Sequence, residues 1–489
     1  MESDRLTDVI DLKNIKDDST EAKYCIQNIP IKWIKEFGRT DPYGASLFLD
    51  PRLPIFFRLF LPFAIFSTIA IFISANSGIG ASVFVVFNIG RRIQVPSLFD
   101  FGLINSVHDM WVASSYVLSI LVAAFSGIWP YLKLILLLIA FLLPTSILSH
   151  KRREQILIFL DATGKYSILD SYVMIMMLVA FHFHVEIPVT NEYKTKSGSI
   201  FDVFVYAAYG FPMLIIGTLI SLLLSHIMTH LHRSLDEHPD QNKGEKAECY
   251  KSIMSFAKVK CVGNIPFRIF ISLMIFLTLG LVIAGSIIQC FSFYFHGLAG
   301  YALDLFNIPP HREFSIIELG ISVPKAYEKP NDPVIIFTQV VYFLTVLAIP
   351  LSFLFILIIL WFIPMKRKAQ KIFYDIAEIL NAWSCIDVFV IAIIASLTEI
   401  GQFTKFIVGD KCKDIDPIIE TYFKNLLNGH NTCFEVQSYL EEGCWLFFAA
   451  AISFFICSFF ILKVCRNALN ERLSDHVKKN NNKYTIQKK

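Results

Sequence analysis

The chain has 489 residues and carries 44 Lys and Arg against 41 Asp and Glu, a formal net charge of +3. Hydrophobic residues make up 55% and charged residues 17%, well below the roughly one-quarter carried by soluble proteins, and mean hydropathy is +0.55. That balance excludes a soluble multi-domain enzyme, a disordered chain, a disulfide-stapled secreted domain and a nucleic-acid binder.

Residues 1–53 form a polar tail of mixed charge without the apolar core and small-residue cleavage site of a secretory signal, so the first span reads as a retained signal anchor. Within the tail Trp33, Ile34 and Phe37 oppose Lys32, Lys35 and Glu36 at helical spacing, the pattern of a short helix lying at a membrane surface or packed on the protein. Eight segments then approach the about 20 apolar residues needed to cross a bilayer core about 30 Å thick. They are approximately 54–74, 111–149, 168–187, 203–229, 266–290, 334–363, 386–408 and 445–463. An all-α polytopic membrane protein is expected.

Lys and Arg stay preferentially on the cytoplasmic side. With the N-terminus inside, 32 of the 44 fall on that side and ten on the other, so both termini are expected in the cytosol. Clusters such as Lys151-Arg152-Arg153 and Lys366-Arg367-Lys368 read as stop-transfer and headgroup anchors.

The chain also reads as one unit written twice. Pro130 and Pro144 in the second span recur as Pro350 and Pro364 in the sixth, both offset by 220. Tyr166-Ser167-Ile168-Leu169-Asp170 recurs as Trp383-Ser384-Cys385-Ile386-Asp387, offset by 217, and Phe201-Asp202-Val203 with Tyr206 and Gly210 recurs at an offset of 233. Each unit has four spans, so both enter the membrane from the same side and the repeats are parallel. The expected organisation is a cytosolic tail (1–53), a first four-helix module (54–232), a cytosolic linker (233–265), a second four-helix module (266–466) and a basic cytosolic tail (467–489).

Ser followed three residues later by an acid, just before an apolar run, is the spacing of a helix capping box. It occurs at Ser97/Asp100, Ser167/Asp170, Ser315/Glu318 and Ser384/Asp387. Capping is the simplest reading, with substrate contact or proton transfer at Asp170 and Asp387 as the alternative. Lys133 interrupts an apolar run about 25 Å from the inner boundary near His150. It either snorkels to the outer headgroups or faces inward as a site for an anionic headgroup, and the matching position in the sixth span is Phe353. The 39-residue second span, about 58 Å as a helix, overshoots the bilayer and is expected to rise above it or to break near Gly127 and Pro130. A break there would line a cavity with Ser126, Pro130 and Lys133; a plain proline kink is the alternative.

His226, His230 and the alternating His182, His184 and Glu186 do not reach a metal-binding constellation, and no metal or other cofactor is expected. The ten cysteines contain no Cys-x-x-Cys pair. Cys412, Cys433 and Cys444 fall on the outer side, where an oxidising compartment would favour a Cys412–Cys433 disulfide.

Pro-x-x-Lys in a long apolar helix (Pro130 to Lys133), a basic turn, and Trp-Ser-x-x-Asp-Val-Phe (Trp383 to Phe389, more loosely Tyr166 to Tyr172) resemble the paraquat-inducible protein A family over about 54–466. Residues 1–53 and 230–265 lack the cysteines of the zinc ribbons common in bacterial members. The Phe-rich composition and long polar tail resemble a eukaryotic member. The resemblance implies an integral membrane protein that moves lipids and works with a membrane or lipid-tunnel partner. The expected function is therefore non-enzymatic phospholipid transport between membranes or leaflets, with membrane lipids as partners. Two other readings remain open: a structural or adaptor protein with tetraspanin-like modules, and a small-solute or ion carrier.

Overall fold

The computed structural model describes residues 46–50, 52–89, 91–94, 99–180, 182–186, 199–236, 253, 265–305, 309–327, 329–412 and 435–487. The expected interfacial helix around Trp33, almost all of the 233–265 linker and the Cys412–Cys433 pairing lie outside what is described.

In chain order the first half contains α1 (Ile55–Ser77), β1 (Ala81–Ile89), β2 (Arg91–Gln94), β3 (Phe99–Phe101), α2 (Leu103–Val112) and α3 (Tyr116–Leu142). These are followed by α4 (His150–Thr163), a 3-10 turn (Gly164–Ile168), α5 (Leu169–Ala180), β4 (Phe183–Glu186), β5 (Ser199–Ala207) and α6 (Gly210–Asp236). The second half contains α7 (Ile265–Ile287), β6 (Phe291–His296), α8 (Gly297–Leu305), β7 (His311–Phe314), α9 (Ile316–Lys325) and α10 (Pro333–Phe362). It ends with α11 (Arg367–Trp383), α12 (Ile386–Cys412), β8 (Glu435–Leu440) and α13 (Glu442–Gln487). Helix α6 runs past the expected boundary at 232, and α13 runs without a break across the one at 466.

The chain is mostly helical, as expected, and two antiparallel sheets are added to the helices. One has the order β2-β1-β5-β4 with β3 on β1, and the other has the order β7-β6-β8. In the first, Ala81 faces Ala207 and Phe87 faces Phe201; in the second, Phe291 faces Leu440 and His296 faces Glu435. Their strands are rich in Val, Phe and Ile, whose branched and aromatic side chains fit a pleated surface better than a helix. The C-terminal ends of α1 and α7 lead into the sheets, and the sheets lead into α6 and α13. The two sheet ends are tied together by Arg312, whose Nη1 donates to the His182 carbonyl at 2.8 Å, and by Tyr206 stacked on Tyr327 with ring centres 5.5 Å apart.

Among the described residues, seven helical stretches are long and apolar enough to cross a membrane: α1, α3, α6, α7 from Phe267, α10, Arg367–Thr398 and the Glu442–Leu469 part of α13. The expected span at 168–187 is not among them. Its helix, α5, has 12 residues, about 18 Å, and gives way to β4, because the alternating Phe183-His184-Val185-Glu186 has the period of a strand. Helical structure in this region begins earlier instead: α4, the 3-10 turn and α5 follow one another without a gap from His150 to Ala180.

The second span also departs from expectation. It starts at Tyr116, because Ser114 takes a left-handed φ of 65° and ends α2. At 27 residues, about 40 Å, it no longer overshoots the bilayer as a 39-residue helix would. It does not break at Pro130. The chain widens into a π-helical turn at Ala123–Ile128, so that Trp129 N–H bonds to the Ala124 carbonyl, five residues back. Proline offers no N–H and its ring crowds the carbonyl four residues back, and the wider turn absorbs both effects. The same device precedes Pro350, with a π turn at Leu344–Ala348 and Ile349 N–H bonded to the Leu344 carbonyl.

The halves meet along α5 and α12. Tyr172 of α5 packs edge-on against Phe389 and Tyr342 at 5.3 and 6.4 Å, and its hydroxyl shares a 2.7 Å hydrogen bond with Thr345 in the π turn of α10. Outward-facing Ile, Phe and Leu cover much of α1, α7 and α13, as helices solvated by lipid require.

Candidate functional site

Buried polar groups in the first half form a column running from the end remote from the sheets to the cavity beneath the first sheet. At the remote end a cavity of about 340 Å³ opens between α4, α6, α11 and α13, lined among others by Asp161, His226, His230, Arg233, Lys371 and Glu378. His226 Nδ1 lies 2.9 Å from Asp161. Arg233 pairs with Glu378 of the second half, which also accepts a 2.7 Å hydrogen bond from Tyr374, and Arg466 reaches back to Glu154 of the first half at 2.6 Å. Among the described residues, no three His, Cys, Asp or Glu are grouped to hold a metal ion.

Lys133 occupies the next level. It is 0% exposed, and its Nζ donates to the Ser221 carbonyl at 3.1 Å. Gly164 faces it closely enough that a Cβ there would overlap the ammonium, and Asp161 attracts it electrostatically. Trp129 Nε1 donates to the Thr163 carbonyl at 3.0 Å, locking the end of α4 beside the middle of α3. Ser221 is eleven residues, about 16 Å, into α6 from its sheet end, so Lys133 lies near mid-span and inside the protein rather than at the outer headgroups. The hydroxyls of Ser126, Ser167, Ser171 and Ser221 are buried with no hydrogen-bond partner among the described residues. Buried polar groups are nearly always satisfied, so this concentration of free hydroxyls marks a place that water or a ligand can occupy.

Above it, Lys165 in the 3-10 turn crosses to the second half. Its Nζ lies 2.8 Å from Asp387 and donates to the Ser384 carbonyl at 3.0 Å, while the Tyr166 hydroxyl donates to Asp387 at 3.1 Å. Asp387 thus binds two side chains of the other half, and the Ser384 hydroxyl has no partner among the described residues. The expected capping boxes at Ser167/Asp170 and Ser384/Asp387 do not close. Helix α4 runs straight into the 3-10 turn and α5, so Ser167 sits within continuous helical chain with no free amide to cap. The box at Ser315/Glu318 does form, with Glu318 N–H to Ser315 at 3.1 Å and Ser315 N–H to Glu318 at 2.9 Å; Ser97 lies outside the described residues. Trp383 ends α11, and its carbonyl accepts from the Cys385 thiol at 3.5 Å.

At the top, Asp170 lines a cavity of about 40 Å³ with Asn76, Gly80, Phe101, Ser106 and Gly210. This is the sheet end of the molecule. No ion pair or hydrogen bond reaches Asp170 among the described residues. The position corresponding to Lys165 in the second half is Ala382, so the acid that Lys165 neutralises has a counterpart with no cation beside it. The cavity has room for about three or four waters at about 10–15 Å³ each.

At the corresponding places in the second half, Phe353 stands where the first half has Lys133 and Phe454 where it has Ser221; the two rings pack 5.1 Å apart. Val346 and Phe459 likewise stand in for Ser126 and His226. Two parts of the column escaped sequence reasoning. Lys165 belongs to neither repeated motif. The Arg233 and Arg466 pair, offset by the same 233 residues as Gly210 and Gly443, was visible but not its crossed partners.

Apolar helices that expose their Phe, Ile and Leu, capped at one end by small sheets and joined by buried polar contacts, define an integral multi-pass membrane protein. Residues 335–412 match the family model of paraquat-inducible protein A. That stretch runs from the first turn of α10 to the end of α12 and contains Pro350, the second π turn, Trp383, Ser384 and Asp387. Comparison with curated proteins and with solved structures gave no match.

Proposed function

We propose that the protein moves phospholipid between membranes or leaflets without covalent chemistry, the headgroup passing along the polar column of the first half. The observation that supports this most is Lys133, a cation with no exposed surface whose one hydrogen bond among the described residues is to a backbone carbonyl. An intramembrane cation is costly and needs a reason; a phosphate headgroup supplies one, since an ammonium binds phosphate as a point charge. The 340 Å³ cavity at the remote end lies within the range of ligand sites, about 300–1,000 Å³, and Asp161 links it to Lys133.

In this reading the chain is two parallel four-helix modules with eight crossings. The third is the continuous helical stretch from His150 to Ala180, about 49 Å long at about 1.5 Å per α-helical and 2.0 Å per 3-10 residue. Both termini are cytosolic and the sheets lie outside, where they face a membrane or lipid-tunnel partner. Membrane lipids are the substrate, and no cofactor or nucleic acid takes part.

Reconstituted protein with headgroup-labelled phospholipid tests the reading. Loss of a charged hydrogen bond worth about 1.5–3 kcal/mol predicts that Lys133→Ala slows exchange on the order of 10- to 100-fold. Unchanged exchange by the folded variant removes Lys133 from the route. A second reading, a small-solute or ion carrier, is favoured by one observation: the Asp170 cavity fits water or a small cation but no headgroup. Ion-coupled flux in proteoliposomes that disappears in Asp170→Asn would establish it.

A further inference from the structure

On the sheet side of the second half, two cysteines lie against each other. Cys290 ends the turn between α7 and β6, Cys444 lies in the first turn of α13, and both are fully buried. Backbone bonds hold the two segments together: Glu441 N–H donates to the Cys290 carbonyl at 2.9 Å, and Gly443 N–H to the Gln289 carbonyl at 2.9 Å. Gly443 permits this approach, since a Cβ there would overlap the Gln289 carbonyl. These bonds bring the two cysteines side by side, close enough for each thiol to feel the other electrostatically.

The first half makes the same approach without the cysteines. A Cβ on Gly210 would stand 2.8 Å from the Ala75 carbonyl, so glycine is required there too, but Gly80 and Phe211 occupy the places of Cys290 and Cys444. The close packing therefore needs no thiol, and the second half has one on each side of the contact.

We propose that Cys290 and Cys444 form a disulfide in the mature protein, stapling the end of α7 to the start of α13. The scarcity of Lys and Arg on this side places it away from the cytosol, where disulfides persist. One cysteine thiolate attacks a disulfide oxidant, a protein oxidoreductase or oxidised glutathione, and releases one of its thiols. The second thiolate then displaces the other. The two cysteines lose two protons and two electrons, and the oxidant is reduced to two thiols. The neighbouring Cys444 thiol, together with burial, pushes the Cys290 thiol well above the ordinary thiol range. A thiol so placed is a poor nucleophile once buried. Once the disulfide has formed, the same burial shields it from reductant.

Differential alkylation of the full chain purified from membranes tests the assignment. The protein is denatured without reductant and blocked with iodoacetamide, then reduced, labelled with N-ethylmaleimide and mapped by peptide mass. Cys290 and Cys444 should carry the second label, and the unreduced digest should hold one cross-linked peptide lighter than the two free peptides by two hydrogens. Iodoacetamide on both residues overturns the proposal. In Cys290→Ala, Cys444 should take the first label; maleimide there would mean that Cys444 pairs elsewhere, which also overturns it.

Discussion

In the first half the Lys133 ammonium reaches the Ser221 carbonyl at 3.1 Å, whereas at the same two places the second half packs Phe353 against Phe454. The contrast continues at other positions. Ser126 and His226 have Val346 and Phe459 as their counterparts, and Asp170, without an ion pair among the described residues, has its counterpart in Asp387, which is held by Lys165 and Tyr166. First helices of 23 residues in each half, two π turns before Pro130 and Pro350, and glycines at the same helix approach show that the backbone does not require this difference. What differs is the cost of burial. Ring against ring stabilises the second half, while the first half keeps a cation and free hydroxyls whose desolvation is repaid only when a polar ligand or water fills the site. Under the proposed function, the first half carries the headgroup and the second supports it.

The largest effect expected from breaking this contrast is in the second half. Phe353→Ala should cost about 3–5 kcal/mol of stability through the cavity it leaves, read by thermal unfolding in lipid, while the folded fraction exchanges lipid at the normal rate. Lys133→Ala should do the reverse, leaving the unfolding temperature nearly unchanged and slowing exchange. If Phe353→Ala abolished exchange as fully as Lys133→Ala, the division of labour would be wrong.

The two acids sharpen the comparison at intermediate scale. Losing one partner of a buried ion pair costs about 3–5 kcal/mol, and the partial exposure of Lys165 and Asp387, 11% and 20%, brings the expectation for Asp387→Asn to about 2–3 kcal/mol. Asp170→Asn, with no ion pair to lose, should shift stability by no more than about 0.5 kcal/mol. Equal losses in the two variants would mean that Asp170 has a partner in the working protein.

The smallest effect is expected at the crossed arginines. Arg233→Ala should cost about 1 kcal/mol and Arg466→Ala about 0.5 kcal/mol, because their side chains are 30% and 43% exposed. Both losses should shrink as salt rises from about 0.1 to 1 M and screening shortens from about 10 to 3 Å. A salt-independent loss would point to packing of the arginine stems instead.

Much of the column was legible in the chain. Lys133 stood out as a charge in an apolar run, Phe353 as its unequal counterpart, and Pro130 and Pro350 as paired disturbances of two long helices. Other features were misplaced for a physical reason that recurs: hydropathy reports how apolar a segment is, not where its helix begins. The charged stretch after His150 reads from its Lys and Arg as a headgroup anchor, so the expected third span begins at 168, eighteen residues after the helix itself does. Ser167, just ahead of that span, then reads as a cap. The alternation of His182, His184 and Glu186 was noticed, but the strand it signals was absorbed into an apolar helix.

Local pattern by itself determined that this is a multi-pass membrane protein, where most of its long helices run, that its halves share motifs, and that one half buries a lysine where the other has phenylalanine. Those properties depend on residues a few turns apart, within reach of periodicity and hydropathy. Only the tertiary structure decided that Lys165 neutralises Asp387, that Asp170 lies beneath a sheet, that the arginines cross between halves and that Cys290 meets Cys444. Each of these contacts joins residues far apart in sequence, and which of the available charges, hydroxyls and thiols come together depends on how the two halves pack.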